Sequence, residues 1–297
     1  MLEAFRTRRP WAAAIVSFIF SPFIGMLYLG RGRLAFLYLL AGIATAVLFL
    51  VAVDGHITPD LSGSVGALSQ LPLSIIGAIH AWFIARRRLS GEIQYWYARW
   101  LALVALVLVF PAIALLIRTF LYQPFDLPSV SMSPSLNKGD FFFASKSAYR
   151  EADPKRGDVV VFHWEGRDYV KRIVGLPGDR IQMVNDRLAI NGATVPQHRI
   201  ADFIEQCGEP APCRVPQYLE TLPGGRTDKI LDRMPDGALD NTPLFVVPKD
   251  NYFVLGDNRD NSDDSREDLG YIPRATLLGR AATKFVANGR LVWQAVE

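Results

Sequence analysis

The apolar residues of this chain are placed unevenly, and that placement limits what it can fold into. Four nearly uncharged stretches, 10–30, 34–53, 64–85 and 100–117, lie before residue 122, while the rest has its hydrophobic residues in short runs. A helix needs about 20 apolar residues to cross a bilayer, so the second, third and fourth stretches are candidate spans. The first has Pro22 and Gly25 near its middle, which favours a broken or re-entrant segment. Arg6, Arg8 and Arg9 precede it and Arg31 and Arg33 follow it. Arg86, Arg87, Arg88 and Arg99 lie between the third and fourth stretches, whereas 54–63 has no Lys or Arg. Basic residues stay on the cytoplasmic side, so the N-terminus and both basic connections are expected inside. If the first stretch spans instead, the N-terminus is outside. Either way the chain after residue 121 is outside. The start is a poor match to a cleavable leader, because the first apolar run leads into three more. His80 and Arg118 are the ionisable exceptions within the spans. Arg118 can snorkel from a helix end, and the region reads as an anchor, not a transport path.

A formal net charge of +3 over 297 residues is too small to argue for nucleic-acid binding. The two cysteines, Cys207 and Cys213, and four scattered histidines show neither CxxC nor HxxxH spacing, so no structural metal site is expected. The C-x5-C pair is either a small disulfide loop, which requires an oxidising compartment, or two free thiols.

Beyond residue 140, runs rich in Val, Ile, Phe and Tyr at 158–164, 168–174, 180–184, 187–190, 244–247, 252–255 and 280–286 alternate with turn formers such as Asn185-Asp186 and Asn191-Gly192. No long helical period appears. The expected architecture is a mainly antiparallel β domain over 122–297, following an α-helical membrane region over 1–121. A polar stretch at about 196–243 reads as an insertion or small subdomain. Phe141, Phe142 and Phe143 are either a core strand or an apolar edge dipping into the membrane interface.

Three segments are dense in polar residues and turns. PFDLPSVSMSPSL, 124–136, is stiff and non-helical, the kind of seat a nucleophilic serine needs, although Ser/Pro-rich linkers after a span are common. In RGDVVVFHWEGRDYVKRIVGLPGDRI, 156–181, alternation puts Lys171 on one face with Tyr169 and Ile173, and Arg172 on the other. A lysine there snorkels, finds a carboxylate, or loses its charge and becomes a base. GDNRDNSDDSR, 256–266, has four Asp but lacks the EF-hand spacing, and its two arginines argue against a cation site. A hydrogen-bonded scaffold fits it better.

These segments resemble the three boxes of the bacterial type I signal peptidases, in the same order and with similar spacing: PSVSMSPSL the nucleophile box, DYVKRIVGLPGD the lysine box and GDNRDNSDDSR the third. The resemblance implies a signal-peptidase-like β fold and a membrane-bound serine endopeptidase that removes signal peptides from exported preproteins. It implies Ser131 as nucleophile and Lys171 as general base. Ser129 and the Ser131 N–H would serve the oxyanion, and Ser262 would orient Lys171. Asp264 and Arg266 would form an ion pair, with Asp257 and Asn261 bracing the loop. Phe125, Leu127, Pro128, Tyr169 and Val170 would line shallow apolar pockets. The C-x5-C pair resembles a feature of the Gram-negative members. Neither metal nor organic cofactor is implied. The expected setting is a bacterial inner membrane, crossed several times by a monomer, with the catalytic domain on the periplasmic side. Members usually have one or two spans; up to four apolar stretches depart from that pattern.

An ordinary lysine, with a pKa near 10.4, is protonated at neutral pH. Lowering it to about 8 takes roughly 3 kcal/mol of differential destabilisation, which burial can supply. His163 and the weaker His198 are rival bases. Rival functions are a processing peptidase with one dedicated substrate, a non-enzymatic assembly factor, and a Ser/Lys self-cleaving repressor. The first differs only in the range of precursors cut. The second is disfavoured by the presence of both Ser131 and Lys171. The third needs a DNA-binding helix pair where this chain has apolar stretches.

Overall fold

The computed structural model describes residues 9–53, 70–87, 98–150, 152–205, 213–234, 237–287 and 289–296. The chain divides into two compact units, Met1–Leu115 and Leu116–Glu297.

The first unit is helical: α1 (Pro10–Ile19), α2 (Pro22–Tyr28), α3 (Gly32–Val53), α4 (Leu71–Arg86) and α5 (Trp100–Phe120), the last running on into the second unit. The first apolar stretch breaks before Pro22, which starts α2, and Ser21 Oγ accepts the Ile24 N–H at 3.3 Å. Proline suits a first turn and not a helix interior, so the break falls there. Small residues let these helices meet closely. A Cβ on Gly77 would stand 2.4 Å from Pro22 Cβ, the close approach favoured where no water drives helices together. Among the described residues, Ala102–Phe120 is the one helix long and apolar enough to cross a membrane, 19 residues at mean hydropathy 2.5. Shorter apolar helices are Pro10–Ile19, Gly32–Ala46 and Leu71–Arg86. Most of the 54–63 and 86–99 connections and the start of the 64–85 stretch lie outside the described residues.

The second unit is mainly β. Its strands are β1 (Tyr122–Asp126), β2 (Phe141–Ser145), β3 (Val159–Trp164), β4 (Arg167–Gly175), β5 (Arg180–Val184), β6 (Arg187–Ile190), β7 (Ala193–Thr194), β8 (Gln197–Arg199), β9 (Phe203–Glu205), β10 (Cys213–Val215), β11 (Gln217–Thr221), β12 (Thr227–Leu231), β13 (Phe245–Val246), β14 (Asn251–Leu255), β15 (Ile272–Pro273), β16 (Leu277–Ala287) and β17 (Arg290–Ala295). An 8-stranded antiparallel sheet runs β1-β2-β16-β3-β4-β14-β15, with β17 on β16, and a 4-stranded sheet runs β13-β5-β6-β7. The fold is the antiparallel β architecture expected after a helical N-terminal region.

Strand β3 explains why its sequence does not alternate. Val159 and Val161 pack with Leu127, Met132, Phe142 and Val170, while Val160 and Phe162 pack with Ile173, Tyr252, Val254 and Ile272. A strand covered on both faces reads as a continuous apolar run. Of the three consecutive phenylalanines, the middle one is core. Phe142 is fully buried, whereas Phe141 and Phe143 turn to the other face against Phe285, Phe143 at a centroid distance of 4.3 Å. The β5–β6 hairpin turns through Asn185 and Asp186, both at positive φ (46° and 65°), as the tight turn between two such strands requires.

The polar stretch at 196–243 carries short strands among its described residues. It holds a 3-stranded sheet, β12-β11-β8, and the β9–β10 pair. Cys213 opens β10 and is disulfide-bonded; Cys207, its expected partner, lies outside the described residues.

Candidate active site

Ser131 lies in the turn-rich segment after β1. Buried Met132 and Leu136 anchor that segment, and bonds of Leu127 with Gly139 and Asp140 close it: Leu127 N–H to Asp140 O at 3.0 Å and Gly139 N–H to Leu127 O at 2.8 Å. Lys171 stands in the middle of β4, opposite Val160 on β3. Its Nζ is 2.9 Å from Ser131 Oγ, and the two residues are only 4% and 8% exposed. Burial pushes the Lys171 amine below its ordinary pKa. Asp264, Asp263 and Asp257 pull the other way, and Arg266 adds to the lowering. Desolvation wins, so the neutral amine is favoured relative to a lysine in water. Ser129 Oγ lies 3.1 Å from Ser131 Oγ, on an exposed residue.

The third box folds back over this pair. Arg266 grips Asp264 with two bonds of 2.9 Å, Nε to Oδ1 and Nη2 to Oδ2. The Gly256 N–H donates to Asp264 Oδ2 at 3.1 Å. Asp257 accepts two bonds of 2.7 Å from Arg172.

One expectation needs correction, and two take a particular form. Ser262 Oγ is buried but has no hydrogen-bond partner among the described residues, so the expected bond to Lys171 is absent. The hydroxyl packs over Gly256 instead: a Cβ there would stand 2.1 Å from Ser262 Oγ and 2.6 Å from the Ser131 carbonyl oxygen. Asn261 is exposed and its bond in the loop is from the main chain, N–H to Asn258 O at 3.0 Å. The five apolar pocket residues do not share one surface. Leu127 and Val170 are core, with Phe125 packed against them, while Tyr169 packs in the cluster of Ile173 and Pro128 is exposed. Neighbouring strand residues point to opposite faces, which separates Tyr169 from Val170.

His163 is exposed at the end of β3, 2.6 Å from Asp168 Oδ1, and His198 is exposed on β8. The sequence reading missed Arg172. It is 1% exposed and bonds Asp257, Asp228 and the Gly157 carbonyl. Its pKa is raised: burial opposes the charge, but the carboxylates of Asp257, Asp228 and Glu220 together outweigh it. Arg259 is likewise buried against Glu220, Nη1 to Oε1 at 2.9 Å. A permanently charged residue inside an apolar strand run is a signal that carboxylates must meet it.

Comparison with known proteins gives the class first, a serine peptidase. The chain belongs to the family described as "Signal peptidase, peptidase S26", whose model matches residues 98–286. It is 33% identical to a "Signal peptidase I" of Rickettsia canadensis over 210 residues, covering 61% of this chain and 75% of the relative. With the "Signal peptidase I" of Rickettsia prowazekii it is 32% identical over the same shares. Among solved structures it is similar to a signal peptidase I from Enterococcus faecalis, at 25% identity and TM-score 0.26, covering 44% of this chain and 98% of the other.

Gly256→Ala should lower stability by about 1–3 kcal/mol, as overpacking does, and depress peptidase activity, because the added methyl must move Ser262 or the Ser131 main chain. Thermal unfolding together with a cleavage assay checks both; a variant with wild-type melting and turnover would contradict the packing described.

Proposed function

We propose that this chain is a membrane-anchored endopeptidase that removes N-terminal signal peptides from exported preproteins, with Ser131 as nucleophile and Lys171 as general base. One observation carries the reading: a buried amine 2.9 Å from a buried serine hydroxyl, within the region matched by the family. The names of the Rickettsia relatives support the substrate class.

In the proposed reaction the neutral Lys171 amine takes the Ser131 proton as Oγ attacks the scissile carbonyl. The tetrahedral oxyanion is met by the Ser129 hydroxyl and the Ser131 N–H; one such donor is worth about a hundredfold or more in rate. Collapse breaks the C–N bond, and the Lys171 ammonium returns the proton to the leaving amine. Water, deprotonated by Lys171, then attacks the acyl carbon; the bond to Ser131 Oγ breaks, and the Lys171 ammonium returns the proton to Oγ. Asp264–Arg266 and Asp257–Arg172 hold the loop that closes the site. Phe125, Leu127 and Val170 form the apolar wall nearest in sequence to Ser129 and Lys171.

The apolar helix 102–120 is proposed as an anchor, with the further apolar helices making the chain multi-pass. The arginine distribution supports a catalytic unit on the periplasmic side. The disulfide at Cys213 supports an oxidising compartment. Phe141, Phe143, Phe285 and Trp293 form an aromatic patch, with Trp293 78% exposed; we assign it to the lipid interface, where such rings are at home. The enzyme is proposed to act as a monomer.

Ser131→Ala, Lys171→Ala and Lys171→Arg should each abolish cleavage of a precursor bearing an Ala-x-Ala site. The arginine variant fails because a guanidinium does not give up its proton. Full activity in any of the three would remove the mechanism. The base works only when deprotonated, so kcat/KM should rise with pH along an acid limb set by Lys171. Asp263→Asn removes an exposed carboxylate that favours the ammonium; it should move that limb to lower pH, and a shift upward would contradict the sign. Trp293→Ser should slow cleavage of a membrane-bound precursor several-fold while a soluble peptide is cut normally, and equal loss on both substrates would argue against lipid contact.

A further inference from the structure

We infer that the subdomain at 196–243 positions the nucleophile, acting through Asn258. The inference rests on Ser131 being the nucleophile, and it concerns how that residue is held.

The contacts form an unbroken chain from the subdomain to the serine. Leu231, the last residue of β12, is fully buried and bonds on both sides of Asn258. Its N–H donates to Asp257 O at 2.7 Å, and its carbonyl accepts the Arg259 N–H at 2.9 Å. This is an isolated parallel bridge, Leu231 to Asn258, between the subdomain and the third box. Asn258, also fully buried, turns to the serine turn with both of its donors. Its main-chain N–H bonds Ser131 O at 3.1 Å and its Nδ2 bonds Val130 O at 3.1 Å. The amide has one acceptor left, Oδ1, and Arg233 Nε, again from the subdomain, donates to it at 3.2 Å. That bond orients the amide so that Nδ2 faces Val130.

Buried ion pairs from the same subdomain flank the bridge. Glu220 on β11 accepts from Arg259, and Asp228 on β12 accepts from Arg172, the neighbour of Lys171. Glu220 and Asp228 are directly paired across β11 and β12, so one place in the subdomain reaches both the strand of the base and the third-box loop that holds the serine turn. Breaking a buried pair leaves an unpaired charge, so these contacts resist sliding. The reaction needs such rigidity, because a misplacement of about 1 Å between reacting groups costs on the order of a hundredfold in rate. Asn258 does not touch the reacting atoms. It is a positioning residue, holding the carbonyls on either side of the Ser131 N–H.

The test uses the full-length protein in detergent with a soluble Ala-x-Ala peptide, comparing wild type, Ser131→Ala, Asn258→Ala, Arg233→Ala and Arg233→Lys. Turnover is expressed per active site, titrated with a serine-directed covalent reagent, and thermal unfolding is recorded for each. Asn258→Ala should lower kcat ten- to a hundredfold with KM changed less than about threefold, the pattern of an interaction lost only in the transition state. Arg233→Ala, at a partly exposed position, should lower kcat several-fold without loss of fold, and Arg233→Lys should recover part of it. If Asn258→Ala does not fold, the Arg233 pair decides alone. Wild-type kcat per active site in the Arg233→Ala variant, a rise in KM alone, or a loss that only mirrors the unfolded fraction would overturn the inference. Activity in Ser131→Ala would instead overturn the assignment of the nucleophile on which it rests.

Discussion

An amine can take a proton from a hydroxyl only while it is uncharged, and burial of Lys171 makes that possible. The carboxylates nearest to it in charge are engaged elsewhere. Asp264 is gripped by Arg266 and Asp257 by Arg172. Each arginine absorbs a negative charge that would otherwise hold the lysine protonated. The remaining one, Asp263, is exposed, where water weakens its pull. The lysine is left with the Ser131 hydroxyl, at 2.9 Å, as its close partner.

Such an arrangement is costly to build. Buried ion pairs rarely add net stability, since desolvation cancels most of the attraction. Here the fold supplies the difference through apolar packing on both faces of β3 and β4, and the ion pairs set geometry instead. Arg172 ties together Asp257 from the third box, Asp228 from the subdomain and the Gly157 carbonyl ahead of β3. Three parts of the chain remote in sequence converge on one guanidinium. Its planar fork can satisfy several acceptors at fixed angles, which an ammonium does less well.

Local features were legible in the sequence. Strands 180–184 and 187–190 were expected with the bounds that β5 and β6 have, because the apolar runs are bounded by an Asn-Asp pair that tolerates positive φ. The break before α2 was marked by Pro22. The juxtaposition of Ser131 and Lys171 rested on resemblance, since nothing local to either residue announces the other. What stayed hidden depends on distant partners. Alternation puts Arg172 on the face of β4 opposite Lys171, but it does not reveal that this face is buried as well. Asp228 lay within a stretch that reads only as polar. Ser262 was expected on Lys171, but whether a side chain one loop away makes a bond depends on the glycine it packs over. Phe141–Phe143 posed a choice between core and interface; alternation along β2 buries Phe142 and turns Phe141 and Phe143 to the other face against Phe285.

The alternation along β4 has a further consequence. Lysine and arginine are consecutive there, one favouring the neutral form and the other permanently cationic. A slip of β4 by one place in its ladder would trade their faces and set a guanidinium before the serine. That group accepts no proton, so even a sheet that tolerated the slip would lack the proposed base. The antiparallel ladder from Val159 opposite Arg172 to Trp164 opposite Arg167 thus guards reactivity as well as shape, and hydrogen-bond register becomes a chemical variable in its own right.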